Sequence, residues 1–438
     1  MFTATDPAMH ARAVPRLELT LRVLAAGIVA TTIIAALLFR TYDFEVPSRP
    51  LEGMRQMGIV FLLFEAAVIL FAMGRGMEIG RIFSAQPLFV RILVAIFLGG
   101  FLWGGIVNSP SPSWATTMSL AAPFHVLFAF AVAHSLDRVD EGALDRFGQI
   151  VAIGMALFTA ILAIAFIDPP DGVDPDAIHW YLAVPGFISH RLFGAFTGAL
   201  ATFFVARYLL RQGEEGAQWW IPLAIVLLLG LTFWTGTRAA LVGMAVAMAI
   251  VWWLGLPRPT IRSCLVLLAC AGIAFAFSQA LIPYDSVHFR IFNSGDVLSA
   301  DAVSGGRLVY WAYVVEAIAA HPWIGAGSSA AIWILPDEAQ QHVQPHNVVL
   351  QFLVSWGIVA GLAALAILAV FIHAIHKIAA RSLLALPFLA ALDCLLVISM
   401  VDGMFHFARH FMLMMLCAGV IMAIGRQASE VDMGGNSA

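Results

Sequence analysis

Three arginines in small-residue surroundings are the side chains best suited to binding an anion. Arg191 lies in SHRLFGAFTG, Arg238 in WTGTRAAL and Arg307 in SGGRLVYW. A guanidinium group holds two oxygens of a phosphate at once. The chain has one lysine, Lys377, so anion chemistry falls to arginine. If the three lie on one side of a membrane, they can converge on one phosphate or diphosphate group. Each taken alone fits an interfacial anchor whose charge reaches water equally well.

The SGGR sequence adds backbone donors to this set. Ser304 is a suitable N-cap for a helix. Apolar residues follow it at helical spacing, namely Leu308, Trp311, Val315 and Ile318. A helix that opens with Ser304, Gly305 and Gly306 presents free backbone amides and the positive end of its dipole, and Arg307 lies in its first turn. The pattern predicts a phosphate or diphosphate site, with an ordinary capped surface helix as the alternative.

A histidine at the start of a long apolar segment is the candidate for proton transfer. His346 lies in QPHNVVLQFLVSWGIVAG, immediately before Asn347. An imidazole that faces water at a membrane boundary can accept a proton near neutral pH. A hydrogen-bonded structural histidine is the alternative.

Other ionisable residues suggest less specific chemistry. Asp402, His406 and His410 recur at i, i+4 and i+8, as metal ligands on one helix face do. No HExxH sequence accompanies them, so we expect a polar outer rim and no metal site. Glu65 and Asp393 lie inside apolar segments, where carboxylates are functional candidates. The sequence gives neither of them a partner.

The composition is that of a polytopic membrane protein. Of 438 residues, 61% are hydrophobic and 11% are charged. The net charge of −4 provides no field for nucleic acid. All four cysteines lie within apolar runs, which fits neither a disulfide framework nor a zinc site. We expect no cofactor.

Apolar runs of about 17–25 residues predict about twelve transmembrane helices in an all-α fold. The predicted segments are 20–39, 57–73, 88–107, 114–134, 147–167, 187–209, 219–235, 239–254, 263–282, 347–371, 383–401 and 410–425.

The arginines predict the orientation. With the N-terminus in the cytoplasm, most of the 23 lysines and arginines lie on the cytoplasmic side, as the positive-inside rule requires. Both termini are then cytoplasmic. Four regions follow: 1–186 holds helices 1–5 and an acidic outer loop, 187–282 holds helices 6–9, 283–346 is a large, partly helical outer loop, and 347–438 holds helices 10–12 and a cytoplasmic tail.

Four segments carry a family resemblance by their order and their common side of the membrane. They are HRLFGAFTG, TGTRAALVG, GGRLVYWAYVVEAIAAHPWIGAG and PHNVVLQFLVSWGIVAG. From about residue 186 to 371 the chain resembles the O-antigen ligase and polysaccharide polymerase superfamily. These are bacterial inner-membrane glycosyltransferases, similar to the GT-C class, with one large periplasmic loop. The chain departs from the family at GAFTGAL, where a pattern like G-x-F-x-N-P-N is common.

The resemblance implies roles for particular residues. The donor would be a glycan on undecaprenyl diphosphate, and no nucleotide sugar would be used. Arg191 and Arg307 would bind the donor diphosphate and Arg238 would support the same region. His346 would orient or deprotonate the acceptor hydroxyl, with Asn347 beside it on the acceptor side. The active site would be periplasmic.

The nature of the acceptor separates two functions. A ligase passes the glycan to the lipid A core, and a polymerase passes it to another lipid-linked repeat. We favour the ligase and keep the polymerase as the alternative. Guanidinium groups that neutralise the leaving diphosphate make a metal dispensable, and attack from the opposite face predicts inversion. A small-solute transporter fits less well, because the polar features lie on one side and no internal repeat is visible.

Overall fold

A computed structural model describes residues 18–38, 49–167, 184–187, 189–212, 219–281, 307–336 and 344–435. Regular structure in these ranges is helical, apart from one isolated bridge between Leu19 and Leu136. The helices are α1 (Leu21–Leu38), α2 (Arg49–Gly74), α3 (Ile79–Ser84), α4 (Leu88–Gly100), α5 (Pro112–Ser135), α6 (Glu141–Ile167), α7 (His190–Leu210), α8 (Trp220–Trp234), α9 (Arg238–Trp253), α10 (Ile261–Ala280), α11 (Arg307–Ala320), α12 (Ala331–Ile334), α13 (Val348–Ala379), α14 (Leu386–Ile398) and α15 (Ala408–Gly435). A π-helix, Phe101–Val107, continues α4, and a 3-10 turn, Leu383–Ala385, precedes α14.

Within the described residues, seven helices are long and apolar enough to cross a membrane. They are α1, α4 with its π-helix, α6, α7, α10, α13 and α15. Five shorter apolar helical segments lie in α2, α5, α8, α9 and α14 with its 3-10 turn. Each predicted transmembrane segment therefore coincides with a helix, and the all-α class is confirmed. Twelve crossings and the side on which the loop 283–346 lies stay predictions, and so do the four regions.

The interior is built around α7, α14 and α15. Nearly all of α7, and of α15 as far as Ile424, is buried, whereas α4 and α10 have few buried residues and α13 is only partly buried. Small residues let the central helices approach closely. A Cβ at Gly198 would press on Ala240 of α9, and a Cβ at Gly243 would press on the Cys394 carbonyl of α14. These contacts hold α7 against α9 and α9 against α14, and both α7 and α15 begin near the site described below.

The long helix α13 is broken at Gly357. This glycine has φ 73° and ψ 178°, a backbone conformation that residues with a side chain rarely adopt. The surrounding space is also full, because a Cβ there would overlap the backbone of Trp323. The break divides α13 into a short first segment, which starts next to His346, and a longer second segment that pairs with α4.

Replacing Gly357 with alanine is expected to lower the free energy of unfolding by more than the about 1–3 kcal/mol that this backbone conformation costs a residue with a side chain, because the overlap adds to it. Thermal unfolding in detergent measures this change. Gly272→Ala in α10 is the matched control, since its Cβ would meet nothing within 4 Å. Equal unfolding midpoints for the two variants would contradict the tight contact at the break.

Candidate active site

An aspartate and a histidine meet at the N-terminal end of α13. Nδ1 of His346 lies 2.9 Å from Oδ1 of Asp402. Asp402 belongs to the turn between α14 and α15, and its side chain is 7% exposed, against 21% for His346. The same carboxylate oxygen accepts a hydrogen bond from the Gly403 amide at 2.8 Å. The two residues that the sequence placed in separate groups thus form one pair.

The charge on Asp402 determines which ring nitrogen of His346 carries the hydrogen. Burial alone would raise the pKa of Asp402, but burial is outweighed by four opposing effects together, of which the hydrogen bond and charge of His346 are the largest. The charge of Arg307 and the Gly403 amide act in the same direction, so the pKa is held below its usual range. The carboxylate is therefore ionised at neutral pH, and His346 Nδ1 donates to it. In a neutral imidazole the lone pair then lies on Nε2, which can accept a proton.

Gln344 holds the backbone of His346 in an unusual conformation. The side-chain oxygen of Gln344 accepts the His346 N–H at 2.6 Å, and its side-chain nitrogen lies 2.9 Å from Nδ1. His346 has φ 53°, which is uncommon for a residue with a side chain. Strained residues of this kind occur often at functional sites. Gly403 leaves room for Gln344, because a Cβ there would overlap the Gln344 amide.

Arg307 and Arg191 belong to the same site as this pair. Burial lowers the pKa of Arg307, the Asp402 carboxylate opposes that change, and the positive charge of Arg191 adds to it. Arg307 therefore lies within electrostatic range of both groups. Arg307 is the first residue of α11, and it is half-buried. The predicted helix after SGGR is therefore present, while Ser304, Gly305 and Gly306 lie outside the described residues.

Helix α11 rests directly on the segment that carries His346. The Trp311 indole donates to the Pro345 carbonyl at 2.9 Å. The rings of Tyr310 and His346 meet edge to face at 6.2 Å. These contacts lie within one turn of Arg307, so the packing of α11 fixes the arginine relative to the imidazole.

The start of α7 connects the other two predicted arginines. Ser189 caps α7 by accepting the Arg191 N–H at 3.1 Å. The Thr237 hydroxyl donates to the Arg191 carbonyl at 3.4 Å, and Arg238 is the next residue along the chain. Both arginine side chains are exposed. Arg238 therefore begins α9 at the same end of the helix bundle as the start of α7, which carries Arg191.

Asn347 has a structural role. Its side-chain oxygen accepts the backbone amides of Val349 and Leu350 at 2.9 and 3.0 Å, which caps α13. Its side-chain nitrogen donates to the Met400 carbonyl at 2.9 Å. Contact between Asn347 and the acceptor stays a prediction.

The remaining polar candidates separate in the structure. His406 and His410 do not form an exposed polar rim. Burial, with a smaller effect from His346, lowers the pKa of His406 to about 4. His410 bonds to the Leu192 carbonyl at 2.8 Å. The Asp402 carboxylate bonds to His346 instead. In the part of the chain that the structure describes, no three histidines, cysteines or carboxylates are grouped to hold a metal ion.

The two carboxylates inside apolar segments each pair with a histidine. Glu65 lies 2.7 Å from His125, and both side chains are buried. Asp393 lies 3.1 Å from His376. The sequence predicted neither partner, and it predicted neither the pairing of Asp402 with His346 nor the contact of Gln344 with His346. The available signal was weak: Asp402 is the one acidic residue in the mostly apolar turn between α14 and α15.

Replacing Asp402 with asparagine is expected to lower the turnover of the site about 10–100-fold, because the positive imidazole formed on proton transfer loses its charged partner. In the wild type the pKa of Asp402 is lowered from 3.8, the ordinary value for an aspartate, so the carboxylate is ionised at any pH above 3.8. Its stabilising charge is lost only as the pH falls below that value. Titration of Asp402 is therefore expected to leave the rate unchanged between about pH 5 and 9. A pH–rate profile of both forms measures this. A variant rate equal to that of wild type across this pH range would contradict the role of the pair.

Comparisons with known proteins define the class. Residues 223–365 match a family model described as O-antigen ligase. An O-antigen ligase from Pseudomonas aeruginosa is 25% identical over 294 residues, which cover 66% of this chain and 65% of that protein, just under two thirds of its length. The fold and these matches together indicate a multi-pass helical membrane protein. They confirm the resemblance to the O-antigen ligase superfamily that the four sequence segments predicted. The family match includes Arg238, Arg307 and His346.

Proposed function

We propose that this chain is an O-antigen ligase-type glycosyltransferase. It would move a glycan from an undecaprenyl-diphosphate donor to a lipid A-core acceptor on the periplasmic face of the bacterial inner membrane, with both termini in the cytoplasm. The family match and the similarity to a protein named O-antigen ligase support this proposal. The observation that carries it is the Asp402–His346 pair beside two arginines, Arg307 and Arg191.

The arginines bind the donor. Arg307 and Arg191 neutralise the diphosphate, and Arg238 supports them from the start of α9. Charge-assisted hydrogen bonds from guanidinium groups are stronger than neutral ones and fit phosphate oxygens in pairs. The positive charge of Arg191 already acts on Arg307 without a ligand. An anion between them therefore relieves a repulsion and gains two cationic partners.

The histidine activates the acceptor. The acceptor hydroxyl oxygen bonds to the anomeric carbon while its proton passes to Nε2 of His346. The bond from that carbon to the diphosphate oxygen breaks, and undecaprenyl diphosphate leaves with the electron pair. Asp402 stabilises the imidazolium that forms. Because attack and departure occur on opposite faces, the product has the inverted configuration. Cationic side chains stabilise the departing charge, so the reaction needs no metal.

Deletion of the gene, followed by gel analysis of lipopolysaccharide, tests the proposal. We expect lipid A-core without long glycan, together with long chains accumulated on undecaprenyl diphosphate. Restoration by the wild-type gene is the control. A core that carries a single repeat unit would indicate the alternative, a polymerase. Normal lipopolysaccharide would contradict both assignments.

A further inference from the structure

A glycine-rich loop fills the break in α13. Residues 321–328, HPWIGAGS, which we name the wedge loop, follow α11 without interruption. Three backbone hydrogen bonds join it to the break: Ala326 N–H to Val354 O at 2.8 Å, Gly327 N–H to Ser355 O at 3.2 Å, and Ile358 N–H to Pro322 O at 2.7 Å. The loop thus supplies partners for backbone groups that the broken helix cannot pair itself. Non-helical backbone is tolerated at membrane depth only where protein satisfies it in this way.

The opposite side of the wedge loop contacts the π-helix at the end of α4. The Ser328 N–H donates to the Gly105 carbonyl at 2.7 Å. The Asn108 side chain donates to the Gly325 carbonyl at 3.2 Å, and the Trp356 indole donates to the Ser328 hydroxyl at 2.9 Å. The loop is therefore fixed between two helices that are each long enough to cross a membrane.

The lengths of these helices place the wedge loop at a membrane boundary. Beyond the break, the apolar part of α13 runs from Ile358 to Ile372, about 15 residues or about 23 Å, which is less than a hydrocarbon core of about 30 Å. The segment Leu88–Val107 has 20 residues and ends beside the same loop. The wedge loop therefore lies at the edge of the hydrocarbon core or just within it.

The wedge loop also presents large apolar side chains outward. Trp323 is 70% exposed and Ile324 is 42% exposed. At the same level, Trp103 of the π-helix is 64% exposed and Val359 of α13 is 52% exposed. These side chains continue the exposed apolar surfaces of α4 and α13. Tryptophan is enriched where a membrane-spanning helix meets the headgroup region.

We propose that the wedge loop is seated in the bilayer leaflet on the active-site side, with Trp323 and Ile324 in contact with lipid. The surface is continuous with the lipid-facing sides of two spanning helices, so lipid is its occupant. Because α11 leads directly from Arg307 into the loop, this contact sets the height of Arg307 above the bilayer. The inference needs only that α4 and α13 cross a membrane, and it is independent of the substrate that the site uses.

Fluorescence quenching tests this contact. Single cysteines replace Trp323, Val359 or Leu308 in a Cys264→Ser background, since Cys264 is an exposed native thiol. Each is labelled with an environment-sensitive dye in phosphatidylcholine–phosphatidylglycerol vesicles that contain a lipid with a nitroxide near its headgroup. Val359→Cys is the lipid-facing reference. Leu308→Cys is the matched comparison, because Leu308 is an apolar residue, 49% exposed, at the far end of α11.

We expect the label at position 323 to be quenched about as strongly as the label at 359 and at least about threefold more strongly than the label at 308. Iodide in the water should quench the labels in the opposite order. Equal lipid quenching at 323 and 308, or stronger quenching at 308, would overturn the proposal. If Trp323→Cys does not fold, Ile324→Cys makes the same measurement. No step depends on glycan transfer, so failure here is distinguishable from failure of the proposed function.

Discussion

Replacing His346 with alanine is expected to reduce glycan transfer about 10²–10⁴-fold while the protein stays folded in the membrane. The imidazole is held by Asp402 on one ring nitrogen. In the proposed mechanism the other nitrogen accepts the proton of the acceptor hydroxyl. Alanine keeps the capped start of α13, because Asn347 makes those hydrogen bonds. The loss should therefore appear mainly in kcat. Transfer between purified donor and acceptor, with protein amounts matched by immunoblot, measures it.

The control for this variant lies on the same helix. His373 is exposed near the other end of α13, and His373→Ala is expected to leave transfer within about twofold of wild type, as is usual for an exposed position far from a site. Full activity in His346→Ala would remove the proposed base. A loss that follows the amount of folded protein would indicate a structural histidine instead.

Arg307→Lys is expected to lose transfer about 10–10²-fold, and Arg307→Ala about 10²–10³-fold. Lysine keeps the positive charge but cannot reproduce the planar pair of N–H donors that fits two phosphate oxygens. Because the diphosphate carries more charge as it leaves than when it is bound, the loss should affect kcat as well as KM. Steady-state kinetics with a purified lipid-linked donor separate the two effects.

An exposed arginine outside the site provides the comparison. Arg262 lies in the first turn of α10, and Arg262→Lys is expected to leave both constants unchanged. If Arg307→Lys were as active as wild type, one positive charge without the paired donors would be sufficient. The proposed two-oxygen contact would then be wrong.

The helices were predictable because each one corresponds to a recognisable pattern of apolar residues in the sequence. Apolar runs long enough for a bilayer identify α1, α6 and α13 without knowledge of their neighbours. The helix after SGGR was also predictable, because its apolar residues recur every three or four positions. For α13 the run of apolar residues concealed the break, since Gly357 resembles any other glycine within a spanning helix.

The site was predictable only in part. Arg307, Arg191 and His346 stood out because polar groups are rare in this chain and because their motifs resemble a family. The pairing of His346 with Asp402, which is 56 residues away, depends on how α13, α14 and α15 pack. The same limit hid the pairing of Glu65 with His125. No local pattern encodes contacts between side chains so far apart in the sequence.

The most direct test of the account is transfer by the purified protein in vesicles. The donor is an undecaprenyl-diphosphate-linked glycan, the acceptor is lipid A-core, and a chelator is present. Wild type is compared with His346→Ala and His373→Ala. The account predicts glycosylated lipid A-core from wild type and His373→Ala, with a rate lower by at least about 10²-fold for His346→Ala. No product from the wild-type protein with this donor and acceptor, or equal rates for His346→Ala and wild type, would contradict it.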